Sequence, residues 1–279
     1  ATAYLTKFVF YFALSAMLFG FTANLDIADI IDWTFVTAYL AASLIVYLLV
    51  TVVALVRKRP AAEAAFEAQC GIIGNVGFLG VPMLTLLLGA DAIGPVILVL
   101  AVDLIFFGSL IVILVTGSRD GRMSLGIIRT VAVGLLKNPM IVSIVLGLLW
   151  STFRLPVPAP AGEFLTLLGA AATPCALFAI GASLASKSAE RVTVAGWLSF
   201  VKLVVHPGAV AIAALVIWPV EPYAAGVMIA AAALPVAGNV YILAQHYGVA
   251  PQRVSAAILM STAASIVTVS AVIAWVAAI

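Results

Sequence analysis

Charged side chains are scarce in this sequence. Lys, Arg, Asp and Glu account for 9% of its 279 residues, while 65% are hydrophobic. Soluble domains carry about 25% charged residues. The composition therefore excludes a soluble globular protein and predicts an all-α protein that crosses a membrane several times.

Cysteine and histidine are scarce as well. The two cysteines, Cys70 and Cys175, lie in apolar segments and offer neither a disulfide framework nor the spacing of metal ligands. The two histidines, His206 and His246, are too few for a zinc or haem site built on imidazole. The sequence also lacks a phosphate-binding loop, a nucleophile elbow and a nucleic-acid-binding patch. We therefore expect no enzyme activity, no metal, no organic cofactor and no nucleic-acid partner.

Apolar runs long enough to cross a bilayer recur along the whole chain. A membrane helix needs about 20 such residues. On this criterion we predict nine spans joined by short connections, at about 3–22, 34–56, 63–88, 92–116, 127–150, 163–185, 194–217, 223–247 and 254–278.

Lysine and arginine fall mostly in alternating connections, which predicts the orientation of the spans. Arg154 is the one basic residue in the connections of the opposite side, and Lys202 lies inside a span. We therefore predict that the end carrying Lys7 is cytoplasmic and that the C-terminus is extracytoplasmic. The predicted cytoplasmic set is Lys7, Arg57, Lys58, Arg59, Arg119, Arg122, Arg129, Lys137, Lys187, Arg191 and Arg253.

The third span is interrupted by residues that break helices. Four glycines and a proline lie within the thirteen residues of 70–82, which read Cys-Gly-Ile-Ile-Gly-Asn-Val-Gly-Phe-Leu-Gly-Val-Pro. The eighth span repeats Gly-Asn-Val at Gly238, Asn239 and Val240, close to Pro235. Broken backbone survives in a membrane only where protein buries it or where it lines a cavity. Two interrupted spans therefore predict the binding site of a secondary transporter.

Two sequence similarities indicate an internal repeat. Residues 14–25 align with residues 173–184, and Gly-Asn-Val at Asn75 aligns with Gly-Asn-Val at Asn239. Matching spans are five apart, an odd number, so the repeats are predicted to be inverted in the membrane. We predict a first repeat at 1–116 with the broken helix 63–88, a cytoplasmic loop at 117–126, and a second repeat at 127–279 with the broken helix 223–247. Five helices per repeat require ten, so we expect one helix to be missing before residue 3.

Three motifs carry a resemblance to a known family. They are the run 74–82, the run Leu-Lys-Asn-Pro at 136–139, and the run 234–248, Leu-Pro-Val-Ala-Gly-Asn-Val-Tyr-Ile-Leu-Ala-Gln-His-Tyr-Gly. With them the chain resembles the auxin efflux carrier family, which includes plant PIN carriers and bacterial transporters of malonate, malate and similar acids. The resemblance implies ten helices in two inverted repeats with two crossed, broken helices. The chain departs from the family pattern in two ways: the family's first helix is absent, and the usual Leu-Pro of the first span reads Leu14-Ser15.

The broken spans supply the first candidate residues. Asn75 and Asn239 either bind a substrate carboxylate or only satisfy backbone groups at the breaks, because an amide both donates and accepts. The helix N-termini that follow the breaks suit an anion. Pro82 and Pro235 mark the crossover. The glycines at the breaks either line the site or allow close packing; they are Gly71, Gly74, Gly77, Gly80 and Gly238.

Polar residues inside other spans supply the rest. Asp103 lies deep in the fourth span, where a carboxylate is costly and indicates function. It either relays a proton, binds a cation or pairs with Lys202. Lys202 itself either binds substrate or extends its ammonium towards the interface. His206 either takes part in proton coupling or is held by a hydrogen bond in the bundle. Gln69, near the first break, is a further coupling candidate.

These observations predict a secondary transporter of small organic anions, mono- or dicarboxylates, in a bacterial inner membrane. The Ala-rich composition and short central loop favour a bacterial member of the family. The coupling ion is a proton or sodium, and a homodimer is possible. Two alternatives stay open: a sodium-coupled symporter of the bile-acid type, and a membrane sensor that binds its ligand without moving it.

Overall fold

A computed structural model gives the fold. It describes residues 2–24, 32–120, 129, 133, 136–137, 139–172, 174–175, 178, 182 and 192–276. Throughout these residues the regular structure is helical, and the one β-type contact is an isolated antiparallel bridge. The predicted all-α architecture is confirmed.

The helices are numbered here in chain order. They are α1 (2–23), α2 (Trp33–Val56), α3 (Ala61–Ile72), α4 (Val81–Leu88), α5 (Ala90–Ser118), α6 (Pro139–Thr152), α7 (Ala159–Ala170), α8 (Val192–Ile217), α9 (Pro222–Ala232), α10 (Gly238–Tyr247) and α11 (Pro251–Val276).

Four helices, α2, α5, α8 and α11, are long and apolar enough to cross a bilayer. Their bounds agree with the predicted spans 34–56, 92–116, 194–217 and 254–278 within a few residues. The protein is therefore a multi-pass membrane protein. The predicted spans 63–88 and 223–247 are each divided into two helices, α3 with α4 and α9 with α10.

Some sequence predictions fall outside the described residues. These include most of the loop 117–126, the first part of span 127–150, much of the segment 173–184 aligned with 14–25, and Asn138 of the Leu-Lys-Asn-Pro motif. The inverted repeat, the orientation and the repeat boundaries stay predictions.

The chain divides into two compact units. One comprises Ala1–Ile31 and Arg122–Ser186, and the other comprises Asp32–Gly121 and Lys187–Ile279. Each unit therefore takes residues from both predicted repeats.

In the first unit, glycines let helices approach α1 closely. A Cβ added at Gly147 of α6 would collide with Oγ1 of Thr22, and one added at Gly169 of α7 would lie 3.0 Å from Cβ of Met17. Small residues at such contacts are the usual basis of helix packing in membranes.

In the second unit, two carboxylates begin helices. The Asp32 side chain accepts from the backbone N–H groups of Thr34 and Phe35, at 2.7 and 3.3 Å, and caps α2. In the same way, the Glu221 side chain accepts from the backbone N–H groups of Tyr223 and Ala224 and caps α9. Such caps satisfy N–H groups that have no partner within the helix.

Two long helices of this unit contain π-helical turns, at Val102–Phe107 in α5 and at Val201–Val205 in α8. Asp103 lies in the first turn and Lys202 in the second. Single π-helical turns within α-helices occur frequently at functional sites. These two turns therefore place both predicted charges at irregular points of the membrane helices; α8 contains a second π-helical turn, at Ala213–Ile217.

Candidate functional site

The two broken helices meet at their breaks. Gly74 and Val236 form an antiparallel bridge. On either side of it the Asn75 N–H donates to the Pro235 carbonyl at 2.8 Å, and the Ala237 N–H donates to the Ile73 carbonyl at 3.0 Å. A helix end leaves backbone groups without partners, and here each break supplies partners to the other. Two broken helices therefore cross in this unit, as predicted.

Both half-helices that follow the breaks begin at the crossover. The Asn75 carbonyl accepts from Leu79 and Gly80 and so starts a π-helical turn, Val76–Gly80, that leads into α4. Pro82 is the second residue of α4, where its missing N–H costs little. In the other break, α10 starts at Gly238 directly after the extended segment. Two helix N-termini, each with partial positive charge, therefore lie next to the backbone bridge between the two breaks.

The side chains of Asn75 and Asn239 are not used to close the breaks. Oδ1 of each is buried and has no hydrogen-bond partner among the described residues. The backbone groups nearby are bonded instead to one another, and the Val236 N–H donates to the hydroxyl of Ser261 on α11 at 3.1 Å. Rotation of an amide exchanges its oxygen and its NH₂ group. Each asparagine can therefore present either a donor or an acceptor to a ligand.

The two asparagines occupy different positions relative to their half-helices. Asn75 is the residue before the first turn, whereas Asn239 is the second residue of α10. The shared Gly-Asn-Val motif therefore does not place the two amides in the same local geometry.

Gly74 allows the close approach at the crossover. A Cβ added there would lie 3.2 Å from the Ala231 carbonyl and 3.3 Å from Nζ of Lys202. Pro235 and Gly238 are buried at the same crossing, and Gly77 is half-buried in the turn after the break. Packing is therefore a sufficient reason for glycine at position 74.

Lys202 lies directly behind this crossing. It is fully buried, so its side chain does not extend towards an interface. Its ammonium donates to the carbonyl of Ala232, in the last turn of α9, and contacts Nδ1 of His206 at 3.3 Å. A cation at a helix C-terminus satisfies carbonyls and complements the helix dipole. Lys202 therefore supplies positive charge to the crossover from within the protein.

Asp103 is also buried, with 4% of its surface exposed. Its Oδ1 accepts from the hydroxyl of Tyr39 on α2 at 2.9 Å. Within the described residues it forms no ion pair with Lys202. One turn along α2, the hydroxyl of Ser43 lies 2.9 Å from Nε2 of His206. The structure therefore connects the three predicted polar residues through α2.

Tyr39 and Ser43 are site residues that the sequence reasoning missed. They lie four positions apart in an apolar span, so both occupy one face of the helix. Polar residues at that spacing in a membrane helix are a signal that could have identified them. Tyrosine also occurs at membrane interfaces, and the sequence pattern alone does not separate a tyrosine at the interface from one buried between helices.

Gln69 holds one of the π-helical turns. Its Nε2 donates to the carbonyl of Phe107 at 2.7 Å, where α5 leaves its π-helical turn. This contact gives the side chain a structural role. Its predicted part in ion coupling stays a prediction.

A second charged cluster joins three helices at one end of the unit. Arg253, at the start of α11, contacts Glu63 at 2.9 Å and Glu67 at 2.8 Å, and Arg57, after α2, contacts Glu67 as well. Glu67 is only 2% exposed. The sequence analysis did not single out Arg57 or Arg253 as partners of these carboxylates.

An apolar groove of about 750 Å³ lies between α4 and α11. Leu79 and Thr262 are among the residues that line it, and within the part of the chain that the structure describes no charged residue does so. A carboxylate would find no charged or amide partner there. The crossover, rather than the groove, is the candidate anion site among the described residues.

Helices that break and cross among buried polar groups are characteristic of secondary transporters. Over residues 1–273 the chain matches the family described as "Membrane transport protein", and it belongs to that family. The resemblance to auxin efflux carriers is confirmed. A protein of Rhizobium meliloti (strain 1021) named "Putative malonate transporter" is 28% identical over 277 residues, which cover 97% of this chain and 85% of that protein.

Proposed function

We propose that this membrane transporter carries small organic anions, mono- or dicarboxylates, across a bacterial inner membrane and binds them at the crossover. The observation that carries the proposal is the pair of buried amide oxygens, Oδ1 of Asn75 and Oδ1 of Asn239, which have no hydrogen-bond partner among the described residues. They flank two helix N-termini, which favour anions. The name of the Rhizobium meliloti relative supports a dicarboxylate.

The binding interactions follow from the positions of these groups. The Asn75 and Asn239 amides turn their NH₂ groups towards the substrate carboxylate. Lys202 does not touch the substrate, because its ammonium is buried behind Gly74 and bonded to Ala232. It raises the positive potential of the site instead. A charge acts more strongly in such a dry environment than in water.

Transport then requires the site to open to the two sides in turn. Asp103 and His206 are the candidates for proton coupling, since both are buried in the membrane-spanning part and both belong to the polar group that contains Lys202. Protonation of this group changes the charge next to the crossover. The affinity for the anion therefore depends on the pH of the side to which the site is open, and a proton gradient makes it differ between the two sides.

One observation favours the sodium-coupled alternative. As oriented, the unpartnered atoms of Asn75 and Asn239 are oxygens, and oxygens coordinate cations. A sodium ion at the crossover would use them without amide rotation. The ion that drives uptake separates the two proposals.

The test is uptake into proteoliposomes that contain the purified protein. Labelled malonate, malate and indole acetate are offered under an imposed proton gradient, a sodium gradient and no gradient. We expect malonate or malate uptake that a proton gradient stimulates and that Asn75→Ala abolishes. Asn24→Ala is the matched control, because Asn24 is exposed and bonds within its own helix.

Three outcomes decide between the proposals. Uptake driven by sodium alone supports the symporter alternative. Binding without accumulation under any gradient supports the sensor. Uptake unaffected by Asn75→Ala and Asn239→Ala contradicts the assignment of the site.

A further inference from the structure

Five buried polar side chains form a row through the second unit. Asp103 Oδ1 lies 2.9 Å from the Tyr39 hydroxyl, Ser43 lies 2.9 Å from Nε2 of His206, and Nδ1 of His206 lies 3.3 Å from Nζ of Lys202. Tyr39 and Ser43 are one turn apart on one face of α2, and the Tyr39 ring lies against the His206 ring, with centroids 5.9 Å apart. None of the five side chains is more than 4% exposed.

The chemistry of the two ends assigns a direction to every bond in this row. An ammonium only donates and a carboxylate only accepts. Lys202 therefore donates to Nδ1 of His206, which places the ring proton on Nε2. That proton is donated to Ser43, and the Tyr39 hydroxyl donates to Asp103. The Ser43 hydroxyl proton is then left free to point towards Tyr39, one turn away on α2. The tautomer of His206 is assigned from this network.

We propose that His206, Ser43 and Tyr39 form a proton relay through which Lys202 and Asp103 exchange one proton. The Nζ–H bond of Lys202 breaks as an N–H bond forms at Nδ1 of His206. The Nε2 proton moves to Ser43, the original Ser43 proton moves to Tyr39, and the original Tyr39 proton moves to Oδ1 of Asp103. Ammonium and carboxylate become amine and carboxylic acid, and no proton enters or leaves.

The exchange changes the charge at the crossover. Two separated, buried charges carry a desolvation penalty that the neutral pair does not. A bound anion at the crossover favours the ammonium form, because Nζ lies just behind Gly74. An empty crossover favours the neutral form. This consequence rests on the proposed function, whereas the relay itself does not.

Other titratable groups lie on the helices packed around the relay. Among the described residues, the charged group that acts on Lys202 is Asp103, and the one that acts on His206 is Lys202. Glu67 of α3 is bonded to Arg57 and Arg253. The remaining groups on these helices are Tyr47 of α2, Glu63 and Cys70 of α3, Asp91 of α5 and Tyr223 of α9.

The test follows the protonation of Asp103 without any substrate. Time-resolved infrared spectroscopy of the full chain in lipid records the carboxylic acid band after a temperature jump, which shifts the internal exchange without adding or removing a proton, and Asp103→Asn identifies the band. Ser43→Ala interrupts the relay, and Ser43→Thr is the matched control because it keeps the hydroxyl. Tyr39→Phe interrupts the relay at a second point.

We expect Ser43→Ala and Tyr39→Phe to slow the change in the Asp103 band about tenfold or more, since a positioned proton donor or acceptor contributes roughly 10²–10⁴-fold to a transfer rate. Ser43→Thr should keep the native rate, which also excludes misfolding as the cause. Native rates in both Ser43→Ala and Tyr39→Phe would overturn the relay. If the two variants slow the change in the band but the native protein binds no malonate, the proposed function is overturned and the relay stands.

Discussion

At the scale of single residues, the most informative feature is a pair of buried charges, Lys202 and Asp103, that form no direct ion pair among the described residues. Lys202 is bonded to a carbonyl and an imidazole, and Asp103 to a phenol. Buried charges persist only when other groups compensate for lost hydration. The two residues should therefore depend on each other although they do not touch.

Lys202→Met tests this dependence. The change removes the cation, leaves the Ala232 carbonyl without its donor, and leaves Asp103 uncompensated, so we expect a loss of roughly 3–5 kcal/mol in stability. Thermal unfolding in detergent measures it. Asp103→Asn, made alone and with Lys202→Met, completes a double-mutant cycle.

The cycle should show coupling. We expect the double variant to be more stable than the sum of the single losses by about 0.5–3 kcal/mol. Additive losses would show that the two charges are energetically independent.

Gly74→Ala tests the packing of the crossover at the same scale. The added Cβ would lie 3.2 Å from the Ala231 carbonyl, so we expect a loss of about 1–3 kcal/mol. Gly208→Ala in α8 is the control, because nothing lies within 4 Å of its added Cβ and alanine favours a helix. Equal unfolding midpoints in the two variants would contradict the tight crossing.

At the scale of helices, sequence and structure agree where a local signal decides. Helices α2, α5, α8 and α11 are continuous apolar runs, and their bounds follow from length and composition. The breaks were predictable because Gly74 and Pro235 disfavour a helix. The pairing of Ile73–Asn75 with Pro235–Ala237 was not, since it joins segments far apart in the chain.

The dependence on contacts between distant segments also explains why two residues of the site were not predicted from the sequence. Tyr39 and Ser43 matter through their contacts with Asp103 and His206, which lie on other helices. Hydrophobicity reports the depth of a residue in the membrane but not its neighbours. The π-helical turns and the two compact units likewise depend on packing between helices.

The ionic cluster at the ends of α2, α3 and α11 gives a prediction at this scale. Glu67→Gln removes the carboxylate that Arg57 and Arg253 share, at a site only 2% exposed, so we expect a loss of roughly 3–5 kcal/mol. Glu63→Gln should cost about 1 kcal/mol or less, because its side chain is 28% exposed and more fully screened. Unfolding midpoints that fall equally in both variants would contradict a central role for Glu67.

At the scale of the whole molecule, the family and the multi-pass architecture define a transporter. The proposed substrate site rests on a single local observation. At the crossing of the broken helices, two amide oxygens have no hydrogen-bond partner among the described residues. A protein can keep the family fold and still bind its ligand elsewhere. The location of binding is therefore the central claim to test.

Calorimetric titration of the purified protein with malonate tests this claim most directly. We expect Asn75→Ala and Asn239→Ala each to weaken binding about 10–100-fold, because each removes a hydrogen bond to a charged group worth about 1.5–3 kcal/mol. Their unfolding midpoints should stay near the native value, since neither amide oxygen has a protein partner among the described residues, and Asn24→Ala should bind as the native protein does. Native affinity in both crossover variants would show that malonate binds elsewhere and would contradict the account.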